Sequence, residues 1–153
     1  MTAKTSDLPT ETLATLVGEA MWARDRAPQM LGMRLLSITP GRARLEMVVR
    51  EDMTNGHAIC HGGLIFTLAD TAFAYACNSG NHNTVASACH VDFLAPAKIG
   101  DTLIAEAVEQ VLRGRSGVYD VTVSRADGEV IALFRGKSAR ISGAVVSTAD
   151  DGA

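Results

Sequence analysis

No stretch of this 153-residue chain gathers lysine and arginine, and the formal net charge is −3 with a pI near 5.7. That excludes a protein built chiefly to bind nucleic acid or an anionic membrane. Apolar runs are short as well. The most apolar stretch, Leu64 to Cys77, is broken by Thr67, Asp70 and Thr71, and falls short of the roughly 18 apolar residues a membrane span needs. Met1 to Pro9 is polar and has no basic segment followed by an apolar run, so no signal peptide is expected. Cysteine is scarce: Cys60, Cys77 and Cys89 are odd in number and never spaced C-x-x-C, which predicts reduced thiols in a cytoplasmic protein. The nucleophile elbow G-x-S-x-G, a phosphate loop, internal repeats and linkers are all missing. What remains is 47% hydrophobic and 20% charged, the balance of a folded chain. At this length one domain over 1–153 is expected, with residues 1–8 and 144–153 as frayed tails.

Asp7 to Glu11 reads as a helix start, and Leu13, Leu16, Val17, Ala20 and Met21 repeat with helical period until Pro28. Leu35–Ile38 and Ala43–Val49 then predict two strands around a turn at Thr39-Pro40-Gly41-Arg42. Ala43, Leu45, Met47 and Val49 would share the buried face. Met53 to Gly63 reads as a loop. Leu64 to Asn78 lacks turn residues, exceeds an ordinary strand and is apolar nearly all round, which predicts a helix in the middle of the fold. After Ser79-Gly80-Asn81 the pattern is strand-like. Cys89, Val91 and Phe93 alternate with His90 and Asp92, Thr102–Leu112 follows, and Tyr119, Val121 and Val123 alternate before the Asp127-Gly128 hairpin and Val130–Ile141. This is an α+β order: an antiparallel sheet around one buried helix.

Two features of that helix could carry chemistry. Asp70 has Phe66, Thr67, Phe73 and Ala74 as its same-face neighbours, and an unpaired carboxylate there costs several kcal/mol or takes up a proton. Either the helix turns it to solvent, an arginine pairs with it, or it is a functional group. At the helix start, His61-Gly62-Gly63 leaves backbone N–H groups unobstructed where the helix favours negative charge, a setting for an oxyanion. Gly62 and Asp70 are separated by about 12 Å along one helix at 1.5 Å per residue. Groups acting on one carbonyl must lie within roughly 3 Å of it. One chain therefore cannot bring both to one substrate, whereas a two-fold dimer with antiparallel helices can do so twice. His57 and His61 with Cys60 lack a third ligand at metal-site spacing, so no metal is expected. His90 and Asp92 read as surface or structural, and Arg113, Arg115, Arg135 and Lys137 as solvated charge at the rim.

The run Asn55-Gly56-His57 through Cys60-His61-Gly62-Gly63, continued by Leu68-Ala69-Asp70-Thr71-Ala72-Phe73-Ala74-Tyr75-Ala76-Cys77-Asn78-Ser79, resembles the hot-dog fold acyl-CoA thioesterases, and the PaaI type of phenylacetate degradation in particular. Asp92-Phe93-Leu94, Gly100-Asp101-Thr102-Leu103, Gly117-Val118-Tyr119-Asp120 and Ala132 to Ser138 extend the resemblance, which covers Gly32 to Ile141. It implies a six-stranded antiparallel sheet wrapped around the central helix, with an N-terminal helix added. It also implies hydrolysis of acyl-CoA, aryl-acyl such as phenylacetyl- or hydroxyphenylacetyl-CoA, without metal or cofactor. Asp70 would be general base or nucleophile and Gly62 the oxyanion donor. His61 and Asn55 would position the carbonyl or water, and Gly63 and Thr71 would bind substrate. Partners would be the acyl-CoA and further copies of the chain, dimers pairing into tetramers with active sites at the dimer interface. A 3-hydroxyacyl thioester dehydratase and a non-catalytic acyl-CoA-binding protein are the alternatives. Free thiol, an enoyl product or unchanged ligand would tell the three apart.

Overall fold

The computed structural model describes residues 4–147. Six strands form one antiparallel sheet in the order β1-β2-β4-β5-β6-β3. They are β1 (Arg34–Thr39), β2 (Arg42–Val48), β3 (Thr84–Phe93), β4 (Thr102–Arg113), β5 (Ser116–Arg125) and β6 (Val130–Arg140). Each hairpin is closed by the turn its sequence announces: Gly41 at φ +71°, Gly114 at +57° and Gly128 at +95° supply the left-handed positions. Along β2, Ala43, Leu45 and Met47 are buried while Arg44 and Glu46 face outward, the period-two alternation of a sheet with one covered face.

That face is covered by α3 (Gly62–Asn78), which touches all six strands. Its residues Ile65, Leu68, Ala69, Ala72, Phe73, Tyr75 and Ala76 are buried against Leu45 and Met47 of β2, Leu103 and Ala105 of β4, Val121 of β5 and Phe134 of β6. Both ends of α3 are tied to the sheet. Asn78 accepts from the Thr84 N–H at 2.9 Å and donates to the Thr84 carbonyl at 3.0 Å, fixing where β3 begins. Ser79 accepts from the Gly41 N–H at 2.8 Å, which holds the β1–β2 hairpin over the same end.

Four expectations change. The N-terminal helix α1 (Thr10–Trp22) ends before Pro28, and Pro28 lies inside a second short helix, α2 (Arg26–Met30). A first helical turn has no intrahelical use for its N–H groups, so proline is tolerated there rather than stopping the helix. The buried face of α1 is Ala14, Val17 and Gly18, with Leu16 exposed. Small residues lie inward because α1 presses on β1: a Cβ on Gly18 would stand 2.8 Å from Ile38 Cγ2. Helix α3 starts two residues before Leu64, so that Gly62 and Gly63 form its first turn. The C-terminal segment expected to fray from 144 is held at Val146, whose N–H and carbonyl both bond to the Asn81 side chain at 2.9 Å. Residues 148–153 lie outside the described residues.

One contact sets the spacing between α3 and β6. A Cβ on Gly136 would meet three Phe73 ring atoms at 2.8–2.9 Å, and Phe73 is 1% exposed. The ring has no room to yield, so Gly136→Ala is expected to destabilise the fold by about 1–3 kcal/mol through overpacking. The midpoint of chemical denaturation measures it, with an unchanged m-value.

Candidate active site

The stretch before α3 is built by local hydrogen bonds. Asn55 Oδ1 accepts from the N–H groups of His57 (2.9 Å) and Ile59 (3.4 Å), and Ala58 takes a left-handed φ of +57° to complete the reversal. The Cys60 N–H then bonds to the Ala97 carbonyl and the His61 N–H to the Met53 carbonyl, both at 2.8 Å. These bonds commit the oxygen of the Asn55 amide to the loop. Its Nδ2 has no partner among the described residues, which leaves a donor available.

His61 is the N-cap of α3. Its Nδ1 accepts from the Gly63 N–H at 3.0 Å, and its carbonyl takes the Leu64 and Ile65 N–H groups at 2.9 and 3.3 Å. The neutral imidazole therefore carries its proton on Nε2. A helix start exposes four N–H groups. Here three are satisfied by one residue, and the Gly62 N–H alone has no partner among the described residues.

Gly62 and Asn55 line the same cleft of about 490 Å³, together with Ile59, Ile65, Phe93, Leu94 and Pro96. The walls are apolar, and Phe93 and Leu94 are 52% and 58% exposed. Gly63 does not line it. Thr71 is buried with its hydroxyl donating to the Thr67 carbonyl at 2.7 Å, and does not line it either.

Asp70 stands elsewhere on α3. Phe66, Asp70, Phe73 and Cys77 follow at i, i+4, i+7 and i+11, one stripe on the helix. Phe66 packs edge-on against Phe134 of β6 at 5.4 Å between ring centroids, and Phe73 against Phe134 at 5.9 Å. The carboxylate thus lies within the aromatic face that α3 turns toward β6 and the neighbouring edge strand β3. No arginine pairs with it: Asp70 has no hydrogen bond or ion pair among the described residues. Burial alone raises its carboxyl above the ordinary value. Its charge in turn adds to the effect of burial on two thiols, Cys77, pushed up to about 12, and Cys89 on β3, also raised.

One chain therefore brings together Gly62 and Asn55, with His61 behind them, and holds Asp70 two turns away. The alternation Cys89, Val91, Phe93 carried the signal for the residue that sequence reasoning missed. It put Phe93 on the face of β3 that meets α3, and the ring lies on Gly62. His90 and Asp92, the other set, bond to each other at 3.1 Å on the outer side. Among the described residues no group of three or more His, Cys, Asp or Glu side chains could hold a metal ion, and no helix is long and apolar enough to cross a membrane.

This arrangement has close counterparts. Residues 57–132 match the Thioesterase superfamily. The acyl-coenzyme A thioesterase PaaI of Escherichia coli is 47% identical over 85% of this chain and 93% of its own length. The solved structure of the E. coli PaaI protein from the phenylacetic acid degradation operon superposes with a TM-score of 0.88 at 45% identity, covering 89% of this chain and 99% of that one. A mutant structure of the phenylacetic acid degradation protein PaaI from Thermus thermophilus gives 0.74 at 37% identity, over 76% and 100%. On the strength of that identity, and of a six-stranded sheet closed around the helix that carries Gly62 and Asp70, the chain belongs to the thioesterase superfamily.

Proposed function

We propose that the protein hydrolyses acyl-CoA thioesters to free CoA and a carboxylic acid, with an aryl-acyl group such as phenylacetyl or hydroxyphenylacetyl. The observation that carries this reading is the presence on one helix of an N–H at Gly62 and a half-buried carboxylate at Asp70, neither with a partner among the described residues. The relatives named for PaaI support the acyl-CoA substrate, and the apolar cleft walls suit an aryl group. The Gly62 N–H, helped by Asn55 Nδ2, stabilises the charge that develops on the thioester oxygen. Asp70 acts as general base on water or as nucleophile. A thiolate departs without a strong acid, so the site needs no second titrating group. The three free cysteines suit a reducing, cytoplasmic setting.

The site is shared between two copies of the chain. Edge strand β3 supports this: ten residues long, it pairs only with β6 and is exposed along most of its length. Its sequence contains no lysine, arginine or proline to blunt the open edge. A second β3 adding antiparallel across a two-fold axis would lay the partner's Asp70 against the cleft that holds Gly62, twice per dimer. Two dimers then form the tetramer.

Asp70→Asn tests the carboxylate. Thiol release should fall by about 10²–10⁴-fold. The folded carboxyl has its pKa raised, so the folded state binds the proton more tightly than the unfolded one. Ionised Asp70 then lowers stability above the unfolded value, and the penalty vanishes as pH falls through that window. The variant should therefore be as stable as the parent at neutral pH or more so. In the parent, kcat/KM should fall on the acid side with an apparent pKa above that of an ordinary aspartate. A lower melting temperature with near-normal turnover would instead make Asp70 structural.

Subunit mixing tests the shared site. His61 has φ −60° and ψ 130°, the extended backbone a residue before proline requires, so the backbone admits Gly62→Pro, which removes the N–H and also sets its ring carbons against Phe93. Gly62→Pro and Asp70→Asn proteins should each be nearly inactive. After exchange about half the dimers are mixed, each with one intact site, and about a quarter of parental activity should return. Mass spectrometry confirms the exchange. Absence of recovery would place each site within one chain.

A further inference from the structure

The seat of the Gly62 N–H is a side chain 31 positions away in sequence. The Phe93 ring lies directly on Gly62: a Cβ there would stand 3.1, 3.3 and 3.5 Å from its Cζ, Cε1 and Cε2. Nothing in the backbone demands glycine at this position. Gly62 is the first residue of α3 and lies outside the left-handed region, where alanine is the better helix former. What crowds a side chain here is the ring, which would have to give by a few tenths of an ångström. Phe93 itself is anchored through β3, in register with Ala132, and the next two N–H groups, of Leu94 and Ala95, both bond to the Ile131 carbonyl. The ring thus transmits the position of the β3–β6 ladder to the first turn of α3, while 52% of Phe93 stays exposed along the cleft.

We propose that Phe93 is a positioning residue for hydrolysis: its ring holds the Gly62 N–H at the distance from Asn55 that the thioester oxygen requires, and glycine occupies position 62 to admit that ring. This rests on Gly62 being the oxyanion donor. Displacement of a donor by a fraction of an ångström lowers turnover without weakening substrate binding to the same extent.

The test is a double-mutant cycle on steady-state thiol release from phenylacetyl-CoA, with melting temperature and oligomer mass checked for each variant. Gly62→Ala keeps the N–H but drives its methyl into the ring, and should lower kcat by about tenfold to hundredfold with KM nearly unchanged. Phe93→Ala should lower kcat by about tenfold. In the Phe93→Ala background, adding Gly62→Ala should change kcat by less than about twofold, because the methyl enters space the ring has left. The same comparison in Phe93→Leu serves if Phe93→Ala fails to fold. An equal loss from Gly62→Ala in both backgrounds overturns the proposal, and so does a Phe93→Ala effect confined to KM. Gly62→Pro combined with Phe93→Ala tests the underlying donor role separately, since the ring is gone and only the N–H is removed. It should abolish the activity that the double alanine variant retains. If the two retain equal activity, Gly62 is not the donor, and the reading fails at that point rather than at Phe93.

Discussion

A helix is a ruler, and Gly62 and Asp70 both ride on one. The rise of α3 separates Gly62 from Asp70 by about two turns, and the sheet that closes around the helix on all six strands removes any freedom to bend it. No rearrangement inside one chain can shorten that distance without breaking the core. The proposed reaction, which uses both groups, therefore has to be completed from across the open edge of β3. A fold with its reactive groups on separate loops could adjust either one. Here the rigidity that fixes the Gly62 N–H is the same rigidity that keeps Asp70 two turns away from it.

The N-terminus of α3 illustrates how little machinery is needed to make one donor distinct. His61 satisfies the Gly63 N–H with its ring and the next two with its carbonyl. A histidine in a hydrolase invites an acid–base role, but this one works as a cap. Its consequence is selective: with three donors closed, the first N–H of the helix is left with the positive end of the dipole behind it. Asn55 is divided in the same way, its oxygen tied to the loop and its nitrogen unengaged.

The central helix, the strand faces and the oddity of Asp70 were legible in the sequence because each is a local pattern of apolar spacing interrupted in a definite way. Burial along β2 follows the predicted alternation residue by residue, and the Pro-Gly and Asp-Gly turns fall where expected. What escaped is whatever depends on a partner distant in sequence. The apolar spacing of α1 includes Leu16 because leucine is apolar, but the buried face is Ala14, Val17 and Gly18, and at Gly18 β1 comes so close that a Cβ would not fit. Pro28 looked like a stop because its position relative to a new helix start cannot be read from the residue itself. The Phe93 ring on Gly62 joins β3 to the start of α3, and no periodicity reports a contact of that kind. Apolar patterning says that a side chain is buried. It does not say against what.

The state of Asp70 follows from the same packing. The stripe Phe66, Phe73 and Cys77 would be an unremarkable apolar seam if position 70 were leucine, and the core would gain the burial that the carboxylate forfeits. Keeping an acid there half-buries it with no cation beside it among the described residues, so its pKa is raised and its ionised form is a stronger base than a solvated aspartate. In the proposed hydrolysis such a base needs only a good leaving group opposite it, and a thioester provides one. An arginine at this seam would stabilise the fold and lower the pKa, and the site would lose the basicity that its burial creates. Asp70 and the Gly62 N–H, both without a partner among the described residues, thus make one demand in the proposed reaction: each would find its complement in a thioester held between two chains.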